Sequence, residues 1–166
     1  MHSYSKVTTN LGEFRVACSP LGITAVRPAA ESPSAFEAAY RKRFGIRPLR
    51  RDIPDAYKKA LRAALAGQQA PPAAIDWSGF TQFQRKVLKV LLKVPAGKVR
   101  SYSWLARRAG FPKAARAVGN VMANNPIPFL IPCHRIVPAS GGIGNYGLGK
   151  KLKRELLSRE GAVLKD

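Results

Sequence analysis

A chain of 166 residues holds one ordinary domain or two small ones, and with 46% apolar residues it has the material for a core, which excludes an intrinsically disordered polypeptide. It has no run of about 18 apolar residues, and Met1-His2-Ser3-Tyr4-Ser5-Lys6 lacks the apolar core of a secretory signal; a soluble cytoplasmic protein is expected. A formal net charge of +20, spread along the chain rather than gathered in a tail, predicts folded surfaces that attract polyanions, with nucleic acid ahead of anionic membrane.

Residues 1–77 read as a small α+β unit. Two strands are expected over 6–9 and 12–18, joined at Asn10-Leu11-Gly12, and a third over 23–26. Phe14, Val16 and Cys18 alternate onto one face, which makes Cys18 a small core residue. A helix is expected over 34–44, with Ser32 or Ser34 as cap and Gly45 as stop, and another over 55–66 with Ala60, Leu61, Ala64 and Leu65 inward. Residues 68–74, with Pro71-Pro72, make the best linker.

Residues 78–166 read as helical. A stripe of Phe83, Val87, Val90, Leu91 and Val94 predicts a helix over 81–94. A short helix over 102–109, the turn Gly110-Phe111-Pro112 and a helix over 113–123 give a helix-turn-helix pattern. A last helix is expected over 150–160, with Leu152, Leu156 and Leu157 inward and Gly161 as its stop. Glu160 sits in its last turn, where the helix dipole favours a cation, so it needs a reason; an ion pair with Arg154 or Lys165 is the plain one.

Chemistry concentrates in Ile131-Pro132-Cys133-His134-Arg135-Ile136-Val137-Pro138. Two prolines bracket the segment and predict extended geometry, with adjacent side chains pointing apart. A thiol beside a histidine and an arginine is expected to favour thiolate, the competent nucleophile; the plain alternative is a buried cysteine beside a surface histidine. Two cysteines and two histidines without close spacing make no zinc site.

The stretches Ser101-Tyr102, Lys113-Ala114-Ala115-Arg116-Ala117-Val118-Gly119-Asn120, Asn124-Asn125-Pro126-Ile127-Pro128, the cysteine segment, Gly144-Asn145-Tyr146-Gly147 and Glu160-Gly161 together carry a resemblance. Over residues 78–161 the chain resembles the active-site domain of the O6-alkylguanine-DNA alkyltransferases, the methylated-DNA–protein-cysteine methyltransferases. The resemblance implies an α+β protein: a ribonuclease H-like N-terminal domain (1–77), then a helical DNA-binding and alkyl-acceptor domain (78–166). It implies that Cys133 accepts an alkyl group from O6-alkylguanine, with O4-alkylthymine as a further substrate class. His134 would be the base, through a water, Glu160 would orient it, Tyr102 would donate to a ring nitrogen of the leaving base, and Asn125 would tie the recognition helix to the cysteine segment.

Arg116, projecting among Ala114, Ala115 and Ala117, would enter the base stack from the minor groove as the damaged nucleotide is flipped out. Gly119, Ser101 and Arg135 would join it in meeting DNA. Ile136, Ser140, Asn145, Tyr146 and Gly147 would line the substrate pocket. The family often has a hydroxyl residue where Gly147 stands, so a side-chain contact is lost there. The implied partner is double-stranded DNA carrying O6-alkylguanine, met by a monomer without cofactor or metal in a stoichiometric reaction. Three rivals differ by feature: a non-catalytic helix-turn-helix protein, which as a damage sensor would lack Cys133 and as a regulator would need base-reading side chains where Lys113 to Asn120 offer mostly alanine; a cysteine hydrolase, which would need an oxyanion-hole glycine run; and a basic chromatin-like packer, which leaves the proline-bracketed segment without purpose.

Overall fold

Alternation over the first 28 residues produces three antiparallel strands, β1 (Ser3–Thr9), β2 (Gly12–Ser19) and β3 (Gly22–Pro28), in a computed structural model that describes residues 1–164. Lys165, one of the plain partners for Glu160, lies outside the described residues. A two-residue strand, β4 (Leu49–Arg50), adds parallel to β1 and gives the order β3-β2-β1-β4. It is too short to leave a pattern in the sequence. Phe14, Val16 and Cys18 do share a face, and Cys18 is buried in the main core, where burial pushes its thiol up. The opposite face is covered as well: Tyr4, Ala17 and Ala25 pack against Phe36 and Tyr40 of α1 (Pro33–Phe44).

Local signals fix the helix ends. The Ser32 side chain accepts from the Ala35 N–H, and Gly45 closes α1 in the left-handed region at φ 71°. Helix α2 (Asp55–Leu65) buries Ala60, Leu61, Ala64 and Leu65 on the sheet's other face. The expected linker, residues 68–74, ends in a strap. Ile23 donates to the Ala74 carbonyl and accepts from the Asp76 N–H, each at 2.9 Å, so residues 74–76 are strapped to the edge strand β3.

Helix α3 (Gln82–Leu91) starts in a capping box between Thr81 and Gln84. The strand β5 (Arg100–Ser101) leads into α4 (Tyr102–Arg108), and a turn leads on to α5 (Ala115–Ala123). Helix α5 begins two residues later than the sequence suggests. The Ala114 N–H donates to the Phe111 carbonyl (2.9 Å) to close the turn, and Ala114 offers no side-chain cap. Strand β6 (Ile136–Val137) pairs parallel with β5, and α6 (Lys150–Arg159) closes the fold. One apolar cluster runs across residue 77: Val16, Ile23 and Leu61 belong to the same core as Leu88, Leu105 and Leu156. Phe129 meets Phe14 edge-on at 5.2 Å, and the Val26 N–H donates to the Pro126 carbonyl at 2.9 Å. Among the described residues no helix is long and apolar enough to cross a membrane.

Candidate active site

The cysteine segment is not extended. Residues Cys133–Arg135 form one turn of 3₁₀ helix, with the Arg135 N–H donating to the Pro132 carbonyl (3.0 Å) and the Ile136 N–H to that of Cys133. A proline restricts the residue before it, not the one after, so Pro132 constrains Ile131 and leaves Cys133 free to turn. The approach is held by Asn125: its Nδ2 donates to the Ile131 carbonyl (2.8 Å) and its Oδ1 accepts from the Ile127 N–H (3.0 Å). Between them Phe129 is held at φ 72°, a conformation that costs a bulky residue about 1–3 kcal/mol and persists because the ring is buried.

Behind the turn lies a sealed ionic cluster. Glu160, the C-cap of α6, has a side chain only 1% exposed. Its Oε2 lies 3.0 Å from His134 Nε2 and accepts from Arg135 Nη2 at 2.7 Å, while Oε1 accepts from Arg135 Nε at 3.1 Å. Arg135 Nη1 donates to the Val94 carbonyl (2.7 Å). Burial alone would raise the Glu160 carboxyl, but the hydrogen bonds and charges of His134 and Arg135 outweigh it and hold its pKa below the usual value. Burial also lowers His134, against the pull of Glu160, so the imidazole is neutral near pH 7. A carboxylate only accepts, so the ring proton sits on Nε2. That leaves the lone pair of Nδ1, which is buried and has no partner among the described residues.

In front, Cys133 faces two clefts. One, of about 690 Å³, is walled by Tyr102, Arg116, Gly119, Asn145, Tyr146 and Gly147; the other, of about 350 Å³, runs between β3, α1 and residues 122–128. Cys133 lines both, although it is itself only 4% exposed. Burial pushes its thiol up; Asn125, the Lys153 charge and Tyr146 pull it down without reversing the shift. Burial thus favours the thiol over the expected thiolate, and Arg135 gives the sulfur no help because its guanidinium is committed to Glu160 and the Val94 carbonyl. The Tyr146 hydroxyl is buried and makes no well-formed hydrogen bond.

Lys153 is a site residue that sequence reasoning misses. It is 1% exposed, and its Nζ donates to the carbonyls of Ile136 (2.7 Å) and Asn145 (3.2 Å), pinning the cysteine segment to the Gly144–Gly147 loop. Burial lowers its pKa to about 8. Its position three residues before Leu156 and four before Leu157 is the signal, masked by the rule that lysines face water. Gly144 is required in that loop: at φ 74° a Cβ there would lie 2.7 Å from Pro138 Cδ.

Residues 82–162, about half of the chain, match the family model described as the DNA binding domain of 6-O-methylguanine DNA methyltransferase. The human methylated-DNA–protein-cysteine methyltransferase is 52% identical over 97 residues, which cover 57% of this chain and 47% of the human protein. A crystal structure of a variant of the Mycobacterium tuberculosis protein OGT superposes with a TM-score of 0.80 at 31% identity, covering 97% of this chain and 93% of that one. The chain belongs to the methylated-DNA–protein-cysteine methyltransferase family. It spans about half the length of the human relative. A second Mycobacterium tuberculosis OGT structure, in complex with DNA, matches at a TM-score of 0.78 and 32% identity over 96% of this chain and 92% of that one.

In this methyltransferase-family chain, Tyr102, Ala115, Arg116, Gly119, Asn145, Tyr146 and Gly147 gather with Cys133 around the larger cleft. Other expected positions fall elsewhere. Arg135, expected at the DNA surface, is 3% exposed and committed to Glu160 and Val94. Ile136, expected in the pocket, is fully buried, and its carbonyl is taken by Lys153. Ser140 is exposed on a loop outside both cleft walls. The Ser101 hydroxyl caps α4 by accepting from the Trp104 N–H (3.0 Å). Ala117 is exposed on α5, and Ala114 precedes its first turn.

Proposed function

We propose that the chain repairs DNA by moving an alkyl group from O6 of guanine onto its own Cys133, one group per molecule. The observation that carries this reading is the thiol of Cys133 on the wall of a cleft that also holds Tyr102 and Arg116, with a neutral histidine next in sequence fixed by a carboxylate. In the reaction the thiol proton passes through a water to His134 Nδ1, and Glu160 stabilises the resulting imidazolium. The sulfur attacks the alkyl carbon, an S–C bond forms, and the C–O6 bond breaks with its electron pair left on the guanine. Tyr102 donates to a ring nitrogen as that charge develops, and the guanine is restored to its neutral form by proton return. The product is a thioether with no hydrolysable bond, so the protein is consumed.

The reading extends to DNA. O6 is occluded in a stacked duplex, so the nucleotide must be extruded. Arg116 is exposed on the first turn of α5 and borders the same cleft as Cys133, which suits a side chain that replaces the flipped base. In this reading α4 and α5 are a helix-turn-helix laid in the minor groove, residues 1–77 form a ribonuclease H-like unit beside the acceptor unit at 78–166, and the chain acts as a monomer on double-stranded DNA. O4-alkylthymine offers the same alkyl–oxygen bond and is a second substrate. The DNA complex of the Mycobacterium tuberculosis relative supports the partner.

Mass spectrometry after incubation with duplex DNA carrying O6-methylguanine tests the reading. One methyl should appear on the Cys133 peptide, and Cys133→Ser should abolish repair. Arg116→Ala should slow repair of duplex more than reaction with free O6-benzylguanine; equal losses on both would remove the finger role, and repair by Cys133→Ser would remove the mechanism.

A further inference from the structure

The antiparallel register sets three cations side by side on the α1 face of the sheet. Lys6 of β1 stands opposite Arg15 of β2, and Arg15 stands opposite Arg27 of β3. Directly opposed side chains on a sheet have Cβ atoms about 4.5–5.5 Å apart, and like charges there are destabilising. A sequence that holds such a row against its own repulsion has placed local stability second to something else.

Two of the three have local relief. Lys6 lies 3.6 Å from Glu13, and Arg27 pairs with Glu31 at 2.8 Å. Arg15 in the middle has no carboxylate partner among the described residues. It is only 6% exposed, yet its five N–H donors make a single bond, from Nη1 to the Glu31 carbonyl at 2.7 Å, with the guanidinium 5.9 Å from the Phe36 ring centre. None of its nitrogens is among the fully buried polar atoms without a partner, so the spare donors of this nearly buried guanidinium still reach solvent and can take an acceptor from it.

There is space for that acceptor beside it. Arg15 and Lys6 line a basin of about 400 Å³, and β4 and the residue after it add Arg50 and Arg51 to its wall. Arg50 donates to the Tyr4 hydroxyl (3.0 Å) and lies 3.7 Å from Glu37, while Arg51 among the described residues reaches only the Met1 sulfur at 3.2 Å. The single acid on the wall, Asp52, is paired with Lys58. The rim is completed by Pro33, the first residue of α1, a 12-residue helix with no acidic residue in its first turn; the positive end of that helix borders the same space. The basin shares no wall residue with either cleft at Cys133.

We propose that this basin is a phosphate-binding site of the N-terminal unit, with Arg15 as its buried donor and Lys6, Arg50 and Arg51 around it. The chemistry fits a phosphodiester of a nucleic-acid backbone or a free phosphate or nucleotide. Arginine forks match phosphate oxygens in either. The site gives part of the +20 net charge a specific task away from the acceptor cysteine, and it stands whether or not Cys133 accepts alkyl groups.

The test uses the full chain and two variants, Arg15→Met, which keeps the apolar stem, and Arg51→Ala, an exposed change that does not threaten folding. Thermal stability is followed with inorganic phosphate and pyrophosphate against sodium chloride of equal ionic strength, and affinity for undamaged duplex DNA is followed against salt. The anion-specific rise in Tm is expected in the parent and should be reduced or lost in both variants. If the occupant is a DNA phosphate, the slope of log K against log salt also falls by about 0.9 in magnitude for each lost contact. A lost Tm response with an unchanged slope assigns the site to a free phosphate or nucleotide. Equal Tm responses in all three proteins, with equal slopes, overturn the proposal. Reaction with free O6-benzylguanine should stay at the parent rate in both variants, which separates failure here from failure of the repair reading.

Discussion

The two sides of the Cys133–Arg135 turn follow opposite rules. Behind it, Glu160 receives both His134 and Arg135, Arg135 also reaches the Val94 carbonyl, and the carboxyl is driven below its ordinary pKa. In front, the Cys133 thiol is pushed up by burial, and the Tyr146 hydroxyl is buried without a well-formed bond. The Glu160 carboxylate is saturated, while His134 Nδ1, the Cys133 thiol and the Tyr146 hydroxyl are left wanting partners. Three consecutive residues divide the labour: two anchor the turn so that the third can meet whatever enters the cleft. Unsatisfied polar groups are tolerated where a ligand will complete them, provided that the support behind is complete.

Removing the anchor should have the largest effect. Glu160→Gln keeps the shape but leaves Arg135 charged, buried and without its counter-ion, and breaking such a pair costs about 3–5 kcal/mol. Urea denaturation of the variant should show a loss in that range, with alkyl acceptance falling as His134 loses its fixed orientation. A loss under about 1 kcal/mol would mean that the back is not what holds the turn.

This anchor also marks where the sequence stops being readable. The oddity of an acid at the end of α6 points to Glu160, and the caps at Ser32 and Thr81, the alternation of Phe14, Val16 and Cys18 and the stop at Gly45 make most elements legible. Those signals are local, written within one turn or one pair of strands. The direction of Arg135 and the burial of Lys153 are not local. They depend on α6 docking beside the cysteine segment, and composition rules that send charges to the surface point the wrong way for both. Closeness in sequence misleads in the same manner: His134 and Arg135 just after Cys133 suggest thiolate, but both turn to Glu160 on the other side. The late start of α5 has a local cause, a turn closed by a backbone bond and no capping side chain at Ala114, yet nothing in the residue types announces it.

A smaller effect should appear on acidification. Burial holds His134 below its ordinary 6.5, so as pH falls through 6.5 the unfolded chain takes up a proton that the folded protein refuses, and stability declines. Glu160, also lowered, adds a second decline: its contribution is complete above 4.5 and is lost as pH falls through the depressed folded value. Thermal unfolding between pH 7 and 3.5 should therefore show two stages of loss, the upper below 6.5 with a smaller share from His2, which burial also lowers, and the lower below 4.5; Lys153, lowered to about 8, titrates above this window. His134→Gln should remove most of the upper stage and keep the lower one, where Asp76 and Glu37 are lowered too. A flat profile from pH 7 to 5 would mean that His134 titrates like an exposed residue, and the back would not be sealed.

The smallest effect on stability belongs to the front and has the opposite sign. Tyr146→Phe deletes a buried hydroxyl without a well-formed bond, so folding no longer strips water from a group that gains nothing in exchange. Stability should stay within about 1 kcal/mol of the parent, shifted toward greater stability. The chemistry should move the other way. The Tyr146 hydroxyl pulls the Cys133 thiol down because it favours the charged sulfur, so although it adds nothing to the resting fold its removal leaves the sulfur harder to ionise and should slow alkylation by free O6-benzylguanine about fivefold, or about 1 kcal/mol. A back-side residue cannot give that combination, because every change there removes a partner. If Tyr146→Phe instead weakened the fold by more than about 1 kcal/mol at an unchanged alkylation rate, the hydroxyl would be structural, and the front of the turn would obey the same rule as the back.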